Sequence, residues 1–69
     1  METEFVIRDE YIELIKLLKA TGICESGGEA KRVTEEGLVK VDGNTESRKR
    51  RKLRKGQTVC CRNQTVRLV

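Results

Sequence analysis

The spacing of apolar residues changes along the chain, and each change predicts an element. From Thr3 to Arg8 they alternate, with Phe5 and Ile7 on one side and Glu4, Val6 and Arg8 on the other. That period of two predicts a short N-terminal strand. From Glu10 to Thr21 the period lengthens, and Tyr11, Leu14, Ile15 and Leu18 follow the i, i+3, i+4, i+7 rule of one buried helix face. Asp9 stands where an N-cap carboxylate would accept from first-turn amides, and Glu10 and Glu13 suit the positive end of the helix dipole. Lys16 and Lys19 fall together on the opposite face, and Gly22 supplies the stop.

Ser26-Gly27-Gly28-Glu29 has the form of a capping box. In it the Ser26 hydroxyl accepts from the Glu29 amide and the Glu29 carboxylate accepts from the Ser26 amide. A second helix is expected over 27–36, with Ala30, Val33 and Thr34 inward and Gly37 as the glycine that follows a helix end. Leu38 to Val41 then alternates as a strand, with Val39 and Val41 on one face and Lys40 on the other. Asp42-Gly43 is a strong hairpin signal. After a basic run anchored by Leu53 and a turn at Lys55-Gly56-Gln57, two strands are expected over 58–61 and 65–69 around Arg62-Asn63-Gln64. Val59, Val66 and Leu68 are their inward residues. The fold class is α+β: a short N-terminal strand, a packed helix-turn-helix pair, then a small, mostly antiparallel sheet with a basic loop. Residues 1–69 are expected to form a single domain whose core is thin at this size.

Charge adds the main functional signal. Positions 1–46 hold 6 basic and 11 acidic residues, whereas positions 47–69 hold 9 basic and none acidic. Seven of those nine lie between Arg48 and Lys55: Arg48, Lys49, Arg50, Arg51, Lys52, Arg54 and Lys55. The overall +4 therefore hides a strong dipole. A concentrated basic lobe raises the local concentration of polyanions, of which nucleic acid is the commonest. Such runs also occur as solvated loops, but this one lies between expected strands, carries Leu53 and unbalances the whole chain.

Other chemistries are poorly provided for. With no histidine, the commonest general base is missing, and no nucleophile stands beside a base at recognisable spacing. Three cysteines, two of them adjacent, suit neither a disulfide framework nor a zinc site. Cys24 is expected to serve as a small apolar residue, with Cys60 and Cys61 on opposite faces of a strand. No catalysis, metal or cofactor is expected. No long apolar run and no signal-peptide layout is present, so a cytoplasmic location without membrane contact is expected. Only Phe5 and Tyr11 are aromatic, and both are read as core, which argues against readout of single strands by stacking.

The line from Leu14 to Val59 also resembles a known module. Leu17-Leu18-Lys19, Gly22-Ile23, Ser26, Glu29-Ala30, Gly37, Val39, Val41, Asp42-Gly43, Lys52-Leu53, Gly56 and Val59 carry the likeness. It is to the RNA-binding domain named after ribosomal protein S4, also called the αL motif. Short, free-standing bacterial members with Ser-Gly-Gly-Glu-Ala at this place form the YbcJ family, and the chain looks like one of those. The resemblance implies structured RNA as ligand, ribosomal RNA or tRNA and within the ribosome in some members, bound by a monomer. It also implies a basic face built by the helical pair and the following hairpin. Carried over, that face holds Lys19 closing the first helix, Ser26 opening the second, Lys31 and Arg32 along it, and Lys40 between the strand valines. Gly27 and Gly28 would let a phosphate approach the helix start. Many members carry an arginine directly after the capping serine, where this chain has Gly27.

The reading is thus non-catalytic binding of structured RNA by phosphate and shape recognition. Two alternatives stay open: a protein-interaction adaptor using the acidic half or the basic lobe, and a general polyanion binder, DNA included. Reversing Arg48, Arg50 and Arg51 to Glu is expected to abolish binding without unfolding the chain.

Overall fold

The computed structural model describes residues 2–69; Met1, the first residue of the expected domain, lies outside the described residues. In chain order the elements are β1 (Glu2–Phe5), β2 (Ile12–Glu13), α1 (Leu14–Ala20), α2 (Gly27–Glu35), β3 (Val39–Val41), β4 (Asn44–Thr45), β5 (Lys52–Leu53), β6 (Thr58–Cys61) and β7 (Gln64–Leu68). The main sheet runs β1-β7-β6-β3-β4, and β2 and β5 form a separate two-stranded ladder. All pairings are antiparallel except β1 with β7, which is parallel. The fold is α+β, as the pattern predicts.

The strands obey the period of two. Val39, Val41, Val59, Cys61, Val66 and Leu68 turn inward and are buried, while Lys40 and Arg67 face out. Leu14, Leu17 and Leu18 of α1 and Ala30, Val33 and Thr34 of α2 complete one core, joined by Ile7, Ile23, Cys24 and Leu53. Full burial of each Leu or Val contributes about 1.5–3 kcal/mol. The Thr34 hydroxyl avoids an unmet bond by donating to the Ala30 carbonyl at 2.7 Å.

Turn chemistry sets the register. Asp42 and Gly43 take φ of 51° and 86°, and Arg62 and Asn63 take 53° and 64°. Positive φ at both central residues is the two-residue hairpin geometry that matches strand twist. The second hairpin is thus one residue tighter than expected, and Gln64 joins β7. Gly37, at φ 78°, ends α2 in the left-handed region.

Three expectations are corrected. The first helix begins at Leu14, not after Asp9, because Ile12–Glu13 pairs with Lys52–Leu53 and the Leu14 and Ile15 amides donate to the carbonyls of Arg51 and Lys49 just before that strand. Tyr11 therefore leaves the helical stripe and is 38% exposed, not core. Phe5 is half-buried and packs against the core, as does Ile15. The capping box closes differently too. The Glu29 amide donates to Ser26 Oγ at 3.1 Å as expected, but the Glu29 carboxylate accepts from the Glu25 amide, not that of Ser26.

Candidate nucleic-acid interface

The basic run is an ordered segment tied to α1. Leu53, its one apolar residue, is wholly buried. The Leu14 amide donates to the Arg51 carbonyl at 2.9 Å, and the Ile15 amide to the Lys49 carbonyl at 3.1 Å. Helix starts leave such amides without intrahelical partners, and here the cationic segment supplies the acceptors. The Arg51 amide donates to the Arg48 carbonyl, closing a turn over 48–51, and the Arg54 amide donates to Gln57 Oε1 at 2.8 Å. The backbone carrying the cations is fixed at several points along its length.

A second fastening is ionic. Glu46 is buried, and its carboxylate accepts from Arg48 Nε at 3.0 Å, Arg51 Nη1 at 2.8 Å and the Arg48 amide at 3.0 Å. The hydrogen bond from the Arg48 side chain is the chief cause that lowers its pKa to about 2, against an opposing effect of burial. Arg48 is raised in return by the same contact. The Arg48 side chain nonetheless stays 71% exposed, whereas that of Arg51 is 33% exposed. Reversing Arg48 and Arg51 to Glu would therefore set new carboxylates against Glu46, so, contrary to the expectation from sequence, the triple reversal would weaken the fold as well as binding.

The other cations differ in their surroundings. Arg50 and Lys55 are exposed and Lys49 is half-buried, and among the described residues none of the three makes an ion pair. Lys52 Nζ lies 4.9 Å and Arg54 Cζ 5.9 Å from the centre of the Tyr11 ring. The stretch from Ser47 to Lys52, with Glu35 at the end of α2, lines one open concavity of about 690 Å³.

The residues at the helix starts form a second group. Glu25, Ser26, Gly28, Glu29 and Arg32 line a shallow hollow of about 540 Å³. Lys19 lies alongside, since a Cβ on Gly27 would sit 3.9 Å from Lys19 Cδ. Arg62 crosses from the β6–β7 turn to pair with Glu29 at 3.2 Å and to reach the Ile23 carbonyl at 3.4 Å. The bond from the Glu25 amide, and after it the bond and charge of Arg62, lower the Glu29 pKa. Lys31, exposed on α2, stands one helical turn before Glu35 and so on the side of the basic concavity. Arg32 borders the hollow near Ser26, so α2 spans the two groups. Lys40 stands apart, facing outward on β3 opposite Thr45 and Cys60. The candidates thus divide into a pinned basic segment, a helix-start group and an outlying Lys40.

Sequence reasoning missed Glu46 and Tyr11. A single acid immediately before a cationic run was the signal for Glu46. For Tyr11 it was the alternation of Tyr11-Ile12-Glu13 against Lys52-Leu53-Arg54. The cysteines are free thiols, and burial pushes those of Cys24 and Cys61 up, away from the reactive thiolate. No described helix is long and apolar enough to cross a membrane.

This architecture is found in known proteins. The chain is 45% identical over 69 residues to the YbcJ proteins of Escherichia coli (strain K12) and Shigella flexneri, covering 100% of this chain and 99% of each relative. The solution structure of E. coli YbcJ, described as revealing an αL motif involved in RNA-binding, matches with a TM-score of 0.74 over 96% of this chain and 85% of that one. The 30S ribosomal protein S4e of Thermoplasma acidophilum shares the fold at a TM-score of 0.70 and 24% identity, over 84% of this chain and 31% of its own. The sequence model of the S4 domain matches residues 5–69. Since that match runs from the end of β1 to the last residue and takes in both helices and every later strand, the chain belongs to the S4 domain family.

Proposed function

We propose that this chain binds structured RNA, without catalysis, by neutralising phosphates with the pinned basic segment. The observation that carries the reading is the tethering itself: carbonyls of Lys49 and Arg51 accept from the first amides of α1 while Glu46 holds Arg48 and Arg51. A segment held this way presents its cations without first being ordered, which lowers the entropic cost of binding. Arg48, Lys49, Arg50, Arg51, Lys52, Arg54 and Lys55 form the principal surface. Lys19, Ser26, Gly27, Gly28, Lys31 and Arg32 extend it along α2, with Lys40 a peripheral contributor. The αL motif attributed to E. coli YbcJ, 45% identical, supports RNA over other polyanions. Folded ribosomal RNA or tRNA is the proposed target class, bound in the cytoplasm by a monomer. Phosphate contacts position a protein but carry no sequence information, so specificity comes from the shape of the RNA.

Fluorescence anisotropy of the purified chain against a folded RNA hairpin, the same RNA unfolded, and a matched DNA duplex tests the reading. Tighter binding to the folded RNA supports it. Equal, weak binding to all three reduces the segment to a general polyanion patch and favours an adaptor that docks a protein partner.

A further inference from the structure

Tyr11 is the chain's single tyrosine, and the fold keeps it out of the core. The β2–β5 ladder explains why. Ile12 pairs with Leu53 and Glu13 with Lys52, so Ile12 and Leu53 turn inward while Tyr11, Lys52 and Arg54 share the outer face. Lys52 and Arg54 both approach the ring within cation–π range. Tyr11 also lines a hollow of about 230 Å³ whose wall is mostly apolar, formed by Phe5, Val6, Ile7 and Ile12 together with Arg8 and Asp9. Asp9, Glu13 and Lys16 line a further hollow beside Tyr11, while Lys52 and Arg54 are the cations that reach the ring itself.

An exposed aromatic face with two cations over it and a mostly apolar hollow beside it matches a nucleotide: a flat base with its own phosphate. We infer that Tyr11 stacks an unpaired base of the bound RNA while Lys52 and Arg54 turn from the ring to its phosphates. The inference rests on the RNA reading and sharpens it, since the preferred ligand becomes duplex RNA interrupted by a single unpaired nucleotide. The cations keep the ring oriented in the free protein, and the base takes their place over it. One ring reads one base, and because every base has a π-face the choice is for an unpaired nucleotide and not for its identity.

The test compares an RNA hairpin carrying one bulged nucleotide with the same stem fully paired. Wild type, Tyr11→Phe and Tyr11→Leu are each titrated by anisotropy, and tyrosine emission is followed in the wild type. That emission reports Tyr11 alone, because the chain has no tryptophan and no second tyrosine. The inference predicts that wild type prefers the bulged RNA by roughly tenfold to a hundredfold and is quenched by it more than by the paired stem. Tyr11→Phe keeps that ratio and Tyr11→Leu brings it near one. Equal binding of the two RNAs by wild type, or a preference that survives in Tyr11→Leu, overturns stacking and leaves the phosphate reading intact. Binding to neither RNA overturns both.

Discussion

A buried carboxylate needs donors, and Glu46 has four from two neighbours: the amide, Nε and Nη2 of Arg48 and Nη1 of Arg51. The gain is seen in its pKa, lowered from the ordinary 4.5 to about 2. Its stabilisation is therefore fully present above pH 4.5 and lost as pH falls toward 2. Taken whole, such a shift is worth ~3 kcal/mol. Arg48 is mostly in water, which screens the pair, so the net contribution is ~1–2 kcal/mol. Urea unfolding of wild type and Glu46→Gln should differ by that amount at pH 6 and by markedly less at pH 3. An undiminished difference at pH 3 would show that Glu46 acts by packing alone. Ser26 makes a simpler case. Its hydroxyl caps α2 through the Glu29 amide, and Ser26→Ala should cost about 1 kcal/mol in the same assay.

Among the elements, the two helices differ in how they start. α2 begins with its own cap, Ser26, and was legible because the signal lies within four adjacent residues. α1 has no side-chain cap; its start is fixed by carbonyls more than thirty residues away, which no local pattern reveals. That distance is why Asp9 looked like a cap and Tyr11 like a core residue. The valine alternation, the Asp42-Gly43 turn and the glycine stop at Gly37 were readable, because each is a local steric or packing requirement. The basic run was visible as charge, but not as an ordered segment whose backbone caps a helix. Amide hydrogen exchange tests that role: the Leu14 and Ile15 amides should be protected well beyond those of an uncapped first turn. Rapid exchange at both would mean that the basic segment is not held to α1. Two glycines separate backbone need from accident. Gly37→Ala forces a left-handed φ on a residue with a Cβ and should cost about 1–2 kcal/mol. Gly27 sits in helical conformation with only an ordinary contact at Lys19, so Gly27→Ala should be neutral or stabilising by about 0.4–1 kcal/mol.

The whole molecule is a small domain polarised in charge, acidic through residue 46 and basic beyond it. The fold partly offsets that polarity, since Glu46 draws Arg48 and Arg51 into ion pairs and Glu29 draws in Arg62. What remains for a polyanion is led by Lys49, Arg50 and Lys55, with Lys52 and Arg54 shared with Tyr11. Counting every positive residue in the sequence would therefore overstate the interface. The central claim is that phosphate neutralisation by this segment drives binding, and a salt series on the folded hairpin addresses it most directly. Log affinity should fall linearly with log salt, by roughly 0.7–0.9 per phosphate neutralised. In the triple variant Lys49→Gln, Arg50→Gln, Lys55→Gln the slope should be shallower by about two to three, at ~0.7–0.9 per lost contact, with the unfolding midpoint unchanged. A slope identical to wild type, in a variant that still folds, would contradict the account.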